Sequence, residues 1–266
     1  MEKQYFTESS YQTEISRKHG LFGWFFRSRF LFTIRFIGIV FRSRRLALDG
    51  RYGVDEWSGS SFDIMRLLEK SGGVINIEGF DNFRDLKEPV VFVSNHMSTF
   101  ETMVFPCLIA PFMDVTFVVK ESLVSFPVFG PIMRSRNPVV VSRNNSRNDL
   151  MVVLDEGSKL LKSGTSIIIF PQSTRKPFLK ISEFNSLAVK LAARNKVKVI
   201  PVAIKTDYWQ NGRLISEFGP FDRDNNQIYI EFGRAMEVEG SGKVTHTKIV
   251  EFIIGRLKSW NAKVID

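Results

Sequence analysis

One short polar stretch, residues 94–101, follows a β-branched apolar run and is the strongest constraint on the fold. Residues 89–93 predict a buried strand that ends shortly before His96. Ser98 and Glu101 match the S-x-x-E pattern that opens a helix, so His96 lies between a strand end and a helix start. This is where α/β sheets usually carry their chemistry. Of the three histidines in the chain, only His96 has such a position.

Two interpretations of His96 and Glu101 are open at this point. Five helical steps of roughly 100° place two residues about 140° apart, so the two cannot pair on one helix face. They can pair if His96 precedes the first turn and the chain folds back over it. A carboxylate on one ring nitrogen then fixes the tautomer and makes the other nitrogen a better base. In the alternative, Glu101 only caps the helix and His96 is a polar loop residue with satisfied hydrogen bonds.

Three further blocks follow in a specific order. Residues 166–170 predict a second buried strand, and Pro-Gln-Ser-Thr-Arg occupies residues 171–175. The patterns Asn-His-x-Ser-x-x-acid and Phe-Pro-x-x-Thr-Arg resemble those of PlsC-type glycerolipid acyltransferases, the lysophosphatidate acyltransferase superfamily. Residues 120–130, followed by Arg143, look like the second motif of that family, and residues 199–202 look like its fourth. Four blocks in the family's order make the resemblance specific.

The chain departs from the family's pattern at two places. The family usually has Asp where Glu101 stands, and Glu-Gly where Gln172 and Ser173 stand. Glu101 keeps the charge on a longer side chain, so the His–carboxylate pair is retained with altered geometry. Gln172 lacks the negative charge, and Ser173 lacks the backbone freedom of glycine. Both changes bear on the identity of the acceptor more than on the reaction type.

The resemblance implies acyl transfer to a hydroxyl, with His96 as the general base and Glu101 as the residue that orients it. Arg175 is the first candidate for binding an acceptor phosphate, because a guanidinium binds phosphate through two hydrogen bonds. The other candidate substrate-binding residues in these motifs are Gln172, Ser173, Thr174, Lys120, Gly130 and Arg143.

The acyl chain requires an apolar pocket open to the membrane. Four apolar residues can line such a pocket or can equally belong to the core: Phe117, Leu123, Phe126 and Phe129. Gly130 is expected to let the backbone approach the acceptor. Cys107 lies in an apolar run and is expected to pack in the core rather than act as a nucleophile.

Strand and helix patterns alternate along the chain, which predicts an α/β fold with a mostly parallel sheet and helices on both faces. The resemblance implies the glycerol-3-phosphate acyltransferase-like form of this fold. Ser60 and Ser61 are predicted to open a helix that ends at Gly72. The predicted strands are residues 74–77, 90–93, 115–119, 137–141, 166–170, 197–204 and 228–232. The other predicted helices are residues 99–110, 149–161, 185–194 and 244–260.

The positive charge of the chain is concentrated in one N-terminal stretch. The net charge is +9, and residues 16–48 contain eight Arg and Lys residues and no Asp or Glu. Eight Phe and Trp side chains are interleaved with these cations. This combination predicts that the segment binds an anionic membrane surface, and no nucleic-acid partner is expected. The alternative is a basic solvated tail, but such tails are poor in aromatic residues.

We therefore predict a membrane-associating segment, residues 1–50, and an acyltransferase domain, residues 51–266. The longest unbroken apolar run, residues 36–41, is far short of the ~20 residues that a bilayer span needs. The segment is expected to lie in the interface on the cytoplasmic face, whereas the resemblance suggests a short pair of membrane-embedded helices. Residues 1–19 are polar and are expected to be frayed.

The resemblance also implies the substrates. The donor would be an acyl thioester on coenzyme A or acyl carrier protein, used as a co-substrate without a further cofactor. The acceptor would be a lysophospholipid, with 1-acyl-sn-glycerol 3-phosphate giving phosphatidate as the first candidate. Glycerol 3-phosphate or a lyso-aminolipid is an alternative acceptor, and a catalytically inactive membrane-binding module is an alternative function. No Cys and His cluster has metal-site spacing, so no structural metal is expected.

Overall fold

The computed structural model describes residues 4–14, 29–212 and 218–266. Its main sheet is formed by β1 Ser10–Gln12, β2 Val74–Glu78, β3 Val91–Ser94, β4 Val115–Lys120, β5 Val139–Val141, β6 Ser166–Ile169, β8 Val199–Lys205 and β9 Gln227–Phe232. The strands lie in the order β1-β2-β9-β8-β3-β6-β4-β5. A separate parallel pair consists of β7 Leu179–Lys180 and β10 Val264–Ile265.

The centre of the main sheet is parallel. β3 pairs in parallel with both β6 and β8, and β4 pairs in parallel with β6 and β5. Every residue of β3, β6 and β8 is buried, as expected for runs rich in Val and Ile that are covered on both faces. The antiparallel pairs are β8 with β9 and β1 with β2. The prediction of a mostly parallel α/β sheet is confirmed.

The helices connect these strands. They are α1 Arg29–Leu48, α2 Val54–Lys70, α3 Phe100–Ile109, α4 Glu121–Ser125, α5 Gly130–Arg134, α6 Ser146–Lys162, α7 Leu187–Asn195 and α8 Lys243–Ser259. The seven predicted strands and the predicted helices after residue 99 all occur, with bounds that differ by at most three residues. The alternation of periods in the sequence was therefore sufficient to locate the elements that carry the sheet.

The predicted start of α2 at Ser60 is wrong, because the helix already begins at Val54. Ser60 lies inside the helix and is buried, with its Oγ 2.6 Å from the hydroxyl of Tyr52. Ser61 Oγ donates a hydrogen bond to the carbonyl of Met103 in α3 at 2.6 Å. These hydroxyls hold α2 against its neighbours instead of capping it.

The N-terminal residues 4–14 pack on the sheet, so the prediction of a frayed start is wrong for this part of the chain. β1 pairs with β2 over three residues, from Ser10 opposite Glu78 to Gln12 opposite Asn76. Phe6 is 3% exposed and stacks on Phe80, with 5.1 Å between ring centroids. Residues 1–3 and 15–19 lie outside the described residues.

α1 packs on the domain through one face. Phe32 and Phe36 are buried and meet the ring of Trp209 edge-on, at centroid distances of 5.0 and 5.4 Å. A second face is exposed and forms what we call the apolar stripe of α1. The stripe consists of Phe30, Ile34, Ile37, Phe41 and Leu48.

Part of the predicted membrane segment falls on residues 15–28, which are outside the described residues. These include Arg17, Lys18, Arg27, Phe22, Trp24, Phe25 and Phe26, and any second helix of the pair that the resemblance suggests. Among the helices of the described ranges, none is both long and apolar enough to cross a membrane. The division at residue 50 stays a prediction.

Replacing Phe6 by Ala is expected to lower the free energy of unfolding by about 3 kcal/mol, the usual cost of deleting a buried aromatic side chain. Phe30→Ala is the matched control, since Phe30 is 74% exposed, and should change stability by less than about 0.5 kcal/mol. Chemical denaturation of the two variants in the same detergent gives both values. Equal losses, or none for Phe6→Ala, would contradict the packing of the N-terminal residues.

Candidate active site

Three neighbouring strands deliver polar side chains to one edge of the sheet. His96 follows β3, residues 170–175 follow β6, and Thr206 follows β8, while β3 lies between β6 and β8. The carboxyl ends of parallel strands meet at the same edge, which is the usual place of an α/β site. The motifs that are distant in sequence are therefore brought together by the register of the central strands.

A buried carboxylate, Glu101, is the centre of this cluster. Its Oε1 lies 2.9 Å from His96 Nδ1 and accepts hydrogen bonds from the backbone N–H groups of Met97, at 2.6 Å, and Ser98, at 2.8 Å. Its Oε2 accepts from the hydroxyls of Ser98, at 2.9 Å, and Thr206, at 2.6 Å. The side chain is fully buried, so each oxygen is coordinated entirely by protein groups.

The structure brings His96 and Glu101 together, so the alternative in which Glu101 only caps the helix is wrong, although Glu101 also bonds to the start of the helix. Glu101 accepts from the N–H of Ser98, as the acid of a capping box does, whereas Ser98 Oγ accepts from the N–H of Phe100, at 3.1 Å, instead of from that of Glu101. The same carboxylate contacts the ring of His96, which precedes the helix and folds back over its first turn. The helix cap and the His–carboxylate pair are therefore one structure.

The surroundings of Glu101 favour its ionised form. Burial alone raises the pKa of the carboxyl, but the hydrogen bond and charge of His96, with the bonds from Thr206 and Ser98, outweigh burial and lower the pKa below its usual value. A carboxylate that accepts from Nδ1–H leaves Nε2 as the basic ring nitrogen.

The His96 ring is held by Glu101 at Nδ1 and by one stacked aromatic ring. It stacks on the ring of Phe170 with 4.2 Å between centroids, and its side chain is only 9% exposed. The backbone N–H of His96 donates to Gln172 Oε1 at 3.0 Å, and its carbonyl accepts from the N–H of Lys176 at 3.0 Å. The imidazole is thus held in one orientation, which general base catalysis requires.

Asn95 ties the loop of His96 to the next strand. Its Nδ2 donates to the carbonyl of Ile204 at 2.8 Å, and its Oδ1 accepts from the N–H of the same residue at 2.9 Å. This pair of bonds extends the contact between β3 and β8 by means of a side chain. It also fixes the approach of Thr206, two residues beyond Ile204, to Glu101.

Gln172, a predicted substrate-binding residue, is buried, and both ends of its side-chain amide form hydrogen bonds within the protein. Its Oε1 accepts from His96, and its Nε2 donates to the carbonyl of Phe178 at 3.3 Å. Ser173 has a positive φ of 63°, a conformation that suits glycine and strains a residue with a Cβ. Ser173 and Thr174 are exposed beside the site.

Three cations lie around the pocket into which His96 faces: Lys120, Arg143 and Arg175. Arg175 donates to Thr99 Oγ1 at 2.9 Å, and the Arg143 side chain donates to the carbonyl of Ser173. The pKa of Arg143 is lowered, and the largest cause is desolvation by burial. The carboxylate of Asp149 acts in the opposite direction and raises this pKa, whereas the positive charge of Arg175 lowers it further. Adjacent guanidinium groups of this kind are suited to an anionic ligand.

Apart from these cations, His96 and Thr102, the residues that line the pocket are apolar, and its volume is about 90 Å³. Of the four candidate acyl-pocket residues, Phe117, Leu123 and Phe129 line it, together with Met133. Phe126 is 49% exposed and lies outside the lining.

Gly130 is buried and does not line this pocket. A Cβ at this position would stand 2.3 Å from the carbonyl oxygen of Val124, so the glycine allows α4 and α5 to approach each other. Gly130 is therefore needed for the packing of these two helices, and the prediction that it lets the backbone approach the acceptor does not describe its position.

Cys107 is fully buried, and burial raises the pKa of its thiol to about 12. A thiolate is therefore not available near neutral pH, and the expected packing role is confirmed.

Sequence reasoning missed the contribution of Thr206 altogether. The residue lies 105 positions from Glu101, and a threonine after a buried strand carries no signal of a distant carboxylate. The Asn95 side chain belonged to a recognised motif, but its partner on β8 was equally invisible.

The lowered pKa of Glu101 predicts a pH-dependent stability. Its ionised form stabilises the fold fully above the usual pKa of 4.5, and this contribution is lost as the pH falls through the lower folded value. Glu101→Gln should therefore be less stable near pH 7 and should lack this part of the acid destabilisation. Denaturation curves recorded between pH 7 and pH 3 give the free energy of unfolding at each pH. Glu239 is exposed, so the control variant Glu239→Gln should show the same dependence of this free energy on pH as the wild type. Parallel curves for wild type and Glu101→Gln would contradict the buried anion.

Comparison with known proteins agrees with this arrangement. Residues 74–205 match a family model described as Acyltransferase. The chain is 27% identical over 193 residues to 1-acyl-sn-glycerol-3-phosphate acyltransferase of Pseudomonas aeruginosa, over 72% of this chain and 70% of that protein. It is 31% identical over 130 residues to 1-acyl-sn-glycerol-3-phosphate acyltransferase LPAT1, chloroplastic, of Arabidopsis thaliana, over 49% of this chain and 35% of that protein.

The fold is similar to the crystal structure of the 1-acyl-sn-glycerophosphate (LPA) acyltransferase, PlsC, from Thermotoga maritima. The TM-score is 0.64 at 20% identity, over 91% of this chain and 96% of that chain. The His96 and Phe170–Arg175 motifs and the strands that carry them all lie within the residues matched by the family model. Residues 74–205 therefore form an acyltransferase domain.

Proposed function

We propose that the protein transfers a fatty acyl group from an acyl thioester to the free hydroxyl of 1-acyl-sn-glycerol 3-phosphate, giving phosphatidate. The observation that carries this proposal is the buried His96–Glu101 pair at a pocket lined by both cations and apolar side chains. The cations suit a phosphate and the apolar wall suits an acyl chain. The names of the relatives in Pseudomonas aeruginosa and Arabidopsis thaliana support the same acceptor.

The proposed step balances without a cofactor. Nε2 of His96 removes the proton of the acceptor hydroxyl, and the oxygen attacks the thioester carbonyl carbon. The tetrahedral intermediate collapses with cleavage of the C–S bond, and the imidazolium returns its proton to the leaving thiolate. Glu101 stabilises the imidazolium and holds its tautomer. Thr206, Ser98 and Gln172 position this pair rather than touch substrate.

The acceptor phosphate is assigned to Arg175, with Arg143 and Lys120 beside it. All three line the pocket that contains His96. The reacting end of the acyl chain is assigned to the wall that includes Phe117 and Phe129. The exposed ring of Phe126 lies 6.1 Å from that of Phe129, so an apolar route leads outward from the pocket.

The apolar stripe of α1 is proposed to hold the enzyme at an anionic membrane surface, on the cytoplasmic face. Arg44 of α1 donates to the carbonyl of Pro127 at 2.9 Å and so links the helix to the loop that carries Phe126. The stripe and this loop would enter the lipid together, with the arginines of α1 at the level of the phosphates. The pocket would then open at the surface from which lipid substrates come.

The reaction is tested by giving purified full-length protein a panel of acceptors with acyl-CoA or acyl carrier protein as donor, and identifying the products by mass spectrometry. Phosphatidate is the expected product, and His96→Ala should reduce turnover at least ~100-fold. Lys258→Ala, an exposed cation on α8, should leave turnover unchanged. Faster acylation of glycerol 3-phosphate or of a lyso-aminolipid would overturn the acceptor, and a fully active, folded His96→Ala would overturn the base.

Membrane association is tested by replacing two residues of the stripe, Ile34 and Phe41, with Gln. Deletion of residues 1–48 is a poorer test, because it would uncover Trp209 and remove β1. Losing two apolar side chains from lipid should weaken binding to liposomes by roughly tenfold or more. Activity on membrane-presented acceptor should fall more than activity on a soluble short-chain acceptor. Val244→Gln, which changes an apolar side chain that is 66% exposed elsewhere, is the control. Equal binding of both variants would place the membrane contact elsewhere.

A further inference from the structure

A basic cleft lies between α1 and α2, apart from the active site. Its volume is about 350 Å³. The residues that line it are Arg35, Gly38, Ile39 and Arg42 from α1, and Asp63, Arg66, Leu67 and Lys70 from α2. None of these residues lines the pocket that contains His96.

The lining of the cleft carries four cations and one carboxylate. Arg42 pairs with Asp63 at 2.5 Å, and Arg66 pairs with Glu69, at the margin of the cleft, at 2.7 Å. Within the part of the chain that the structure describes, the four cations of the lining outnumber these two carboxylates. Arginine binds phosphate oxygens through paired hydrogen bonds, so the cleft has the chemistry of a phosphate site.

Gly38 is an exposed residue of α1 that lines the cleft. It lies in the middle of α1, where a glycine costs about 1 kcal/mol relative to alanine. A Cβ at this position would meet no atom within 4 Å, and φ is not positive, so neither packing nor backbone conformation explains the glycine. A side chain there would project into the cleft and reduce its volume.

The position of the cleft fits the headgroup region of a membrane. At roughly 100° per residue, Arg35 and Arg42 lie about 120° around α1 from the centre of the apolar stripe. When the stripe faces the acyl chains, side chains at this angle reach the level of the phosphates. Arg44, which contacts the Pro127 carbonyl, lies on the opposite flank of the helix. Ile39 and Leu67 add apolar surface for the glycerol end of a lipid.

We propose that this cleft binds the phosphate of an anionic phospholipid that is neither acceptor nor product in the reaction cycle. The bound lipid joins α1 to α2 and fixes the helix on the domain. The inference rests on the proposed placement of α1 at the membrane, but it concerns a separate and saturable site. It predicts stabilisation by single lipid molecules, whereas membrane attachment through the stripe alone predicts none.

The test uses the full chain in a neutral detergent, with dihexanoyl phosphatidylglycerol added below its micelle concentration. A saturable rise in Tm of about 3 °C is expected at ten times the Kd. The double variant Arg35→Gln/Arg42→Gln should lose the rise, and Gly38→Leu should lose it with every charge in place. Arg45→Gln, an exposed cation of α1 outside the cleft, and Arg175→Gln, at the active-site pocket, should keep it.

Several outcomes would overturn the site. An equal rise in Tm with dihexanoyl phosphatidylcholine would mean that the cleft does not recognise the negative charge of the lipid. An equal rise in Tm with inorganic phosphate would mean that the cleft does not recognise the rest of the lipid molecule. A full rise in Gly38→Leu would mean that the cations act only as a diffuse surface charge. If Arg175→Gln were the only variant to lose the rise in Tm, the lipid would bind at the active site. Acyl transfer and liposome binding are measured in parallel, so this inference can fail while the proposed function stands.

Discussion

The carboxylate of Glu101 is the group on which the geometry of the site depends. A fully buried charge is strongly unfavourable unless it is paired and hydrogen-bonded, and here five donors surround it, including the ring of His96. Those donors come from the loop after β3 and from Thr206 after β8. The same anion therefore closes the loop, opens α3 and selects the tautomer of His96. Loss of one donor would leave a buried carboxylate oxygen with an unsatisfied hydrogen bond. It would destabilise the loop after β3, the start of α3 and the tautomer of His96 together.

The sheet makes this concentration of polar groups possible. The strands β3, β6 and β8 are buried along their whole length, so their ends are fixed in register and their loops start from a rigid edge. Arg143 and Ser173 both have left-handed backbone, and the Arg143 side chain donates to the carbonyl of Ser173. Such conformations cost on the order of 1–3 kcal/mol each and persist where the surroundings impose them. The family pattern that the sequence resembles has glycine where Ser173 stands, and glycine is the residue that adopts such a positive φ without strain.

The parts that could be predicted from the sequence are those with a local signal. Buried runs and helical periods located the strands, and the motif around His96 identified the pair with Glu101. Partners across the fold have no local signal, which is why Thr206 was missed and why Gln172 and Gly130 were expected to face a substrate. An amide or a glycine indicates what a residue can do, whereas its neighbours decide what it does. The same holds for Ser60, which has the chemistry of a helix cap but lies inside α2.

The N-terminal region shows a related limit. Its polar composition predicted a frayed end, but one aromatic residue, Phe6, finds a buried place against Phe80 and directs β1 onto the sheet edge. Hydrophobic burial of a single large side chain can outweigh the entropy of ordering a short segment when a partner strand completes its hydrogen bonds.

Nitrogen-15 NMR of histidine-labelled protein tests the central claim most directly. The chain has three histidines, so the signals of His96 can be assigned by comparison with a His96→Gln variant. A carboxylate of Glu101 that accepts from Nδ1 requires neutral His96 to carry its proton on Nδ1 and to leave Nε2 unprotonated. Observation of that tautomer is the result the structure predicts. A neutral His96 protonated on Nε2 would contradict the account, because Glu101 would then face a nitrogen without a proton and the base would point away from the substrate.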